Sequence, residues 1–320
     1  MESSKDKIEA KLSQSLINGR ILKKILSANH GYDTKLVDWK LVFMEKGENF
    51  TSVVVTVKVV FTKTNRPKTI FIRTFVIKLN SERESVQMKE FCKNLFIKEV
   101  SFYKKLVPLL NQELEDLELH PLRIPKLLHG NLDNDRELII FEDLRNDGFK
   151  MVDRRKGLDF NHVCLVLEEL ARLHAASILL LRKNKYTNFL ENFSFLDEIY
   201  WRSPADKDAY ECIKMFFKSC VETGAKVVEK FPEYTETAEW VKNMAPMCYG
   251  QFMETLIVQD PFRVIGHGDC WNNNILFRQV KFFLALIYND LQKTRVKKRF
   301  ENNHQKFFFS NFIFSLPYNK

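Results

Sequence analysis

Between Thr51 and Lys63 the apolar residues fall on every second position, as Val53, Val55, Val57, Val59 and Phe61. A period of two puts them on one face of a strand. Leu36 to Lys46 before it and Thr69 to Leu79 after it read as strands as well, and the turn Thr64-Asn65-Arg66-Pro67 joins the last two. The pattern therefore predicts an antiparallel meander. Ahead of it, Ile8, Leu12, Leu16, Ile21, Ile25 and Leu26 recur near helical spacing within Ser3 to Leu26, an amphipathic helix laid on the outside of a domain.

Ser81 to Leu110 reads as helical, with Phe91, Leu95, Phe102 and Leu106 among its apolar positions. Two more strands follow a polar linker, Ile124 to Leu128 and Glu137 to Leu144. Asp159 caps a long helix, Asn161 to Leu181, whose buried side carries Val163, Val166, Leu167, Leu170, Leu173 and Ile178. His174 lies inside that helix as a core or bracing residue. Tyr186 to Gln259 is largely helical, with Tyr210 to Lys230 and Glu233 to Thr255 the main segments, broken at Ser203-Pro204 and Phe231-Pro232. Val264 to Phe277 then has two short apolar runs around a polar loop that turns at Gly266 and Gly268, a strand-loop-strand pattern.

At 320 residues and 45% hydrophobic content the chain can bury a sizeable core and is long enough for two lobes. Met1 to Ala10 is polar and charged, unlike a signal peptide, and no apolar run is long enough to cross a bilayer. Six cysteines without a C-x-x-C pair suit a reducing, cytoplasmic location. The net charge is +9, and Lys281 to Lys320 supplies +6 of it. With the excess in the tail, and no zinc-finger, helix-turn-helix or aromatic-interleaved basic pattern, composition argues against a nucleic-acid partner.

Chemistry concentrates in the loop V-I-G-H-G-D-C-W-N-N-N-I-L-F. His267, Asp269 and Asn274 stand in the H-x-D-x-x-x-x-N order of phosphoryl-transfer catalytic loops. An Asp that accepts a hydroxyl proton and an Asn five residues on that turns back to a magnesium ion keep nucleophile and metal on one side of one loop. His267 would brace the loop from behind. A chance H-G-D turn with a packed histidine is the plainer explanation, and the whole cassette weighs against it.

Upstream, Phe75-Val76-Ile77-Lys78-Leu79 ends an apolar strand in one lysine, as a kinase small lobe offers to nucleotide phosphates. Glu99, an acid on the apolar stretch Phe96 to Val100, is the candidate carboxylate to hold Lys78. Its alternative is a surface partner for a lysine such as Lys104, an interaction of a few tenths of a kcal/mol. Gly47 lies in Gly47-Glu48-Asn49-Phe50, where a phosphate-covering loop belongs, although a hairpin turn explains it equally well. Glu142 or its neighbours, where Leu138 to Leu144 leaves the sheet, would offer main-chain groups to adenine.

With these motifs in order the chain resembles the ecdysteroid kinase-like (CHK kinase-like) family of the protein-kinase-like superfamily, related to choline kinases and aminoglycoside phosphotransferases. The resemblance rests on G-E-N-F-T-S-V-V, F-V-I-K, F-I-K-E-V-S-F-Y, F-E-D-L, L-A-R-L-H-A-A-S and the H-G-D loop, across roughly residues 30 to 278. It implies an α+β, bilobal fold, with a small lobe over 1–144, a helical large lobe over 145–280 and a divergent tail over 281–320. It further implies the use of ATP and Mg2+ to phosphorylate a hydroxyl of a steroid-like or xenobiotic small molecule; the expectation beside it is a monomer with no membrane or nucleic-acid partner. Lys78 and Glu99 would hold the phosphates, Asp269 would take the hydroxyl proton, and Asn274 would bind metal. The family continues to a second metal-binding Asp in a D-F-Q motif, for which Asp290-Leu291-Gln292 is the candidate here. The glycine-free, Phe- and Asn-rich tail after it has no clear period and reads as a translated non-coding stretch or altered splice product, which would leave the large lobe incomplete. A catalytically impaired chain acting as a binding module is the alternative.

Overall fold

The computed structural model describes residues 16–43, 52–80, 86–133, 136–183, 189–197, 207–255, 264–279 and 305–309. The chain forms two compact units, Met1–Ala176 with His267–Ile313, and Ser177–Gly266 with Phe314–Lys320.

In the first unit, β1 (Thr34–Phe43), β2 (Val53–Lys63), β3 (Arg66–Leu79), β4 (Leu127–Asn131) and β5 (Leu138–Glu142) make one antiparallel sheet in the order β1-β2-β3-β5-β4. The alternation in β2 works as the period requires. Val55, Val57, Val59 and Phe61 join Phe75, Ile77 and Leu79 of β3 and Leu138 and Ile140 of β5 in one buried cluster. Helix α1 (Gly19–His30) closes that cluster with Leu22, Ile25 and Leu26. Asn18 starts the helix by accepting the Arg20 and Ile21 N–H groups at 3.1 Å. It is amphipathic, with Leu22, Ile25 and Leu26 turned to the core and Arg20, Lys23 and Lys24 exposed, and the part of the expected helix before residue 16 lies outside the described residues.

The opposite sheet face carries Lys78, and Val54 and Thr56 of β2 pair across to Lys78 and Val76. Helix α2 (Val86–Ser101) brings Glu99 to this face, then widens into a π-helical turn, Phe102–Leu106, before α3 (Val107–Glu115). The sequence pattern gives one helix here; the extra residue per turn at Phe102–Leu106 leaves no trace in apolar spacing. A short 3-10 turn, Leu144–Asp147, follows β5, and α4 (Phe160–Lys183) starts at Asp159, whose Oδ1 accepts the His162 N–H at 3.0 Å.

Several boundaries move. β3 begins at Arg66, so only Thr64 and Asn65 form the hairpin turn, the two-residue length that strand twist favours. β4 starts at Leu127 rather than Ile124, because a Pro125 nitrogen cannot donate to a ladder. Val264 and Ile265 form no strand, whereas β6 (Ile275–Gln279) does, and it pairs antiparallel with β7 (Gln305–Phe309) from the tail, where the sequence shows no period.

The second unit is helical. It holds the end of α4, α5 (Phe189–Asn192), α6 (Lys207–Val228), α7 (Thr235–Met244) and α8 (Cys248–Thr255). The helix expected over Glu233 to Thr255 is two helices separated by the turn at 245–247. Phe217 packs on Tyr249 and Phe252 with ring centroids 5.6 and 4.8 Å apart, and Ser177 Oγ accepts the Ile265 N–H at 3.2 Å. No helix among the described residues is long and apolar enough to cross a membrane.

Candidate active site

Lys78 reaches from the non-core face of β3 to α2, where its Nζ lies 2.5 Å from Glu99 Oε2. Both side chains are nearly removed from water, at 11% and 5% exposure. A lone buried ammonium would be costly, so the pair holds only because each charge neutralises the other. Tyr103, one helical turn beyond Glu99, is buried with its ring 4.9 Å from that of Phe141 on β5. Burial first, then the carboxylates of Glu99 and Glu142, push the Tyr103 phenol well above its ordinary range. The tyrosine therefore stays neutral between the ion pair and the strand that leads to the linker.

The loop from His267 to Asn274 is tied together internally. The Asn274 side-chain NH2 donates to the Asp269 carbonyl at 2.8 Å and to Asp269 Oδ2 at 2.7 Å, while the Asn274 N–H donates to the Trp271 carbonyl. The Asp269 N–H donates to His267 Nδ1 at 3.2 Å. His267 and Asn274 are buried, Asp269 is half-buried, and Gly268 between them has φ 76°, a conformation that side chains resist. The loop leaves through a 3-10 turn, Asn272–Asn274, into β6. That strand is fixed in turn, since Phe277 and Lys150 exchange main-chain hydrogen bonds at 2.8 and 2.9 Å. Arg278 Nη1 also donates to the Asp147 carbonyl at 3.0 Å, with its guanidinium 4.7 Å from the Phe149 ring centroid.

At the end of β5, Glu142 turns toward β4. Its Oε1 accepts the Lys126 N–H at 2.7 Å and its own N–H donates to the Lys126 carbonyl at 3.0 Å. The side chain that organises the linker is Asp143, which sequence reasoning passed over. Asp143 is buried, accepts Thr74 Oγ1 at 2.5 Å, and receives the Arg145 N–H, Nε and Nη2 at 3.0, 2.8 and 2.9 Å. Arg145 Nη2 also donates to Thr56 Oγ1 at 2.7 Å. A signal existed: Thr56 and Thr74 interrupt apolar strands on the face that carries Lys78, and buried hydroxyls need partners.

The structure thus brings Lys78 to Glu99 and Asp269 to Asn274. Gly47 and Asp290 lie outside the described residues. Asn274 and Asp269 offer the oxygen donors that a hard cation such as magnesium prefers. Among the described residues no group of three or more His, Cys, Asp or Glu could hold a metal ion.

A five-stranded antiparallel sheet, a strand lysine paired with a helix acid, and an H-G-D loop held by its asparagine define a kinase-like α+β fold. A model of the ecdysteroid kinase-like family matches residues 46–297, and the chain belongs to that family. The match begins after α1 and β1 and runs past Phe277, so Asp290-Leu291-Gln292 falls inside it, beyond where the sequence motifs stop. No curated protein and no solved structure matches the chain. Membership in this family suggests small-molecule kinase activity.

Proposed function

We propose that the chain transfers the γ-phosphoryl group of ATP to a hydroxyl of a steroid-like or xenobiotic small molecule. The observation that carries this reading is the buried Lys78–Glu99 pair at 2.5 Å, an arrangement that leaves one ammonium aimed by one carboxylate at a fixed place on the sheet. Phosphoryl transfer asks a protein chiefly for positioning and charge stabilisation, which such a pair supplies. Asp269 accepts the proton of the acceptor hydroxyl, and its carboxylate is oriented for this by Asn274. Asn274 and Asp290 are the residues that would hold magnesium, which when bound neutralises charge on the phosphates. Gly47 covers the phosphates, and main chain near Glu142 meets the base. The protein acts as a monomer in the cytoplasm, with no nucleic-acid or membrane partner.

The test is calorimetric titration of ATP into the purified chain with and without magnesium, for wild type, Asp269→Ala and Asp290→Ala, followed by transfer of labelled phosphate to a panel of steroid alcohols and hydroxylated xenobiotics. Magnesium-dependent binding that weakens in Asp290→Ala, with transfer lost in Asp269→Ala, is the expected result. A folded wild type that binds no ATP in magnesium would reject it in favour of a binding module without nucleotide chemistry.

A further inference from the structure

The Arg145 side chain does not point away from the linker into water. It lies on the sheet face that carries Lys78, because its Nη2 donates to Thr56 Oγ1 at 2.7 Å and Thr56 pairs with Val76, two pairs along from Val54 and Lys78 on the same face. Two residues of strand separate those pairs by about 7 Å. Arg145 is also fixed in plane: Nε and Nη2 grip the two oxygens of Asp143, which Thr74 holds from β3. The third nitrogen, Nη1, has no hydrogen-bond partner among the described residues, and 42% of the side chain is exposed.

A triphosphate held at Lys78 would have Thr56 and Val76 beside it on the same sheet face, and Val76 pairs with Phe141 near the end of β5, so a nucleoside reaching toward that end would meet Arg145. A guanidinium locked flat at that position is a ready plate for an aromatic ring. We propose that Arg145, aimed by Asp143 and Thr56, is the nucleoside-recognising residue of this site, its guanidinium stacking on the base of the bound nucleotide. The inference rests on reading the site as a nucleotide site. It assigns Asp143 a positioning role through Arg145, and Thr56 likewise.

The experiment is calorimetric titration of the full chain, in magnesium, with ATP and separately with inorganic tripolyphosphate, for wild type, Lys78→Ala, Arg145→Ala and Arg145→Lys. Removing Arg145 is expected to weaken ATP about tenfold and to leave tripolyphosphate unchanged, whereas Lys78→Ala weakens both. Arg145→Lys does not rescue, because an ammonium cannot grip Asp143 with two nitrogens and stack. Should Arg145→Ala not fold, as judged by its circular dichroism, Arg145→Gln gives the same comparison without the charge. Equal losses for ATP and tripolyphosphate would overturn the proposal, and so would an unchanged ATP affinity. Tighter ATP binding in Arg145→Ala would overturn it too, by showing that the side chain blocks the slot. Wild-type ATP binding that depends on Lys78 would uphold the kinase reading whatever Arg145 does; absence of wild-type binding would remove both.

Discussion

Asn274 grips Asp269 at two points, donating to its carbonyl at 2.8 Å and to its carboxylate at 2.7 Å. One buried side chain therefore sets both the path of the loop and the direction of its acid. Two substitutions separate these effects. Asp269→Asn keeps the shape without the base, so phosphoryl transfer should fall about 10²- to 10⁴-fold with ATP affinity retained. Asn274→Ala should lose transfer and also about 1–3 kcal/mol of stability, because the loop forfeits its internal donor. Transfer assays beside urea unfolding check both.

The Lys78–Glu99 pair predicts an asymmetry between breaking it and replacing it. Glu99→Ala leaves a buried ammonium without its carboxylate and should cost about 3–5 kcal/mol. The double variant Lys78→Met with Glu99→Leu should recover most of that stability, although nucleotide binding stays lost. If the single and double variants unfold at the same urea concentration, the pair is not held away from water as described.

Acid should destabilise the first unit through its histidines. Burial lowers His30, with Arg73, Lys63 and Lys126 adding to it; burial also lowers His129, beside Lys24 and Lys104, and His174 by itself. A histidine held below its unfolded value of 6.5 favours the native state above that pH, and the advantage disappears as pH falls through the folded value. The urea midpoint should therefore drop as pH falls below the unfolded value of 6.5, and less steeply in His129→Gln or His174→Gln.

At the alkaline end the tyrosine behind the ion pair takes over. Tyr103 is raised well above 10.0 by burial, then by Glu99 and Glu142. Its contribution is intact below the unfolded value and is lost as pH climbs through the folded one, because only the unfolded chain releases the proton. Stability should decline as pH rises past the unfolded value of 10.0, and Tyr103→Phe should flatten that decline. Absorbance of tyrosinate, followed in parallel, should show one phenol that ionises only on unfolding.

Much of the sheet was legible because β2 alternates, and alternation specifies which residues share a face. The pairing of Lys78 with Glu99 was legible from the order of strand, lysine, helix and acid, the order of a kinase small lobe. The linker was less legible. Glu142 drew attention by its place in F-E-D-L, yet its carboxylate serves β4, and the neighbouring Asp143 binds β3 and Arg145. One residue's difference along a chain leaving a strand reverses the direction of a side chain, and local pattern does not say where the strand ends. The π-helical turn after Glu99 and the pairing of β7 with β6 were invisible for another reason: both depend on partners distant in sequence or on a single added residue, and neither changes hydrophobic period.

The double main-chain bond between Lys150 and Phe277, with Arg278 fastened to Asp147, has a mechanical meaning. The stretch that follows the linker and the strand that follows the catalytic loop are riveted into one piece. Asp143, Arg145 and Asn146, in the turn between β5 and that stretch, are themselves tied back to Thr56 of β2 and Thr74 of β3. An unbroken run of hydrogen bonds therefore leads from the sheet, through the linker, to the strand that leaves the catalytic loop.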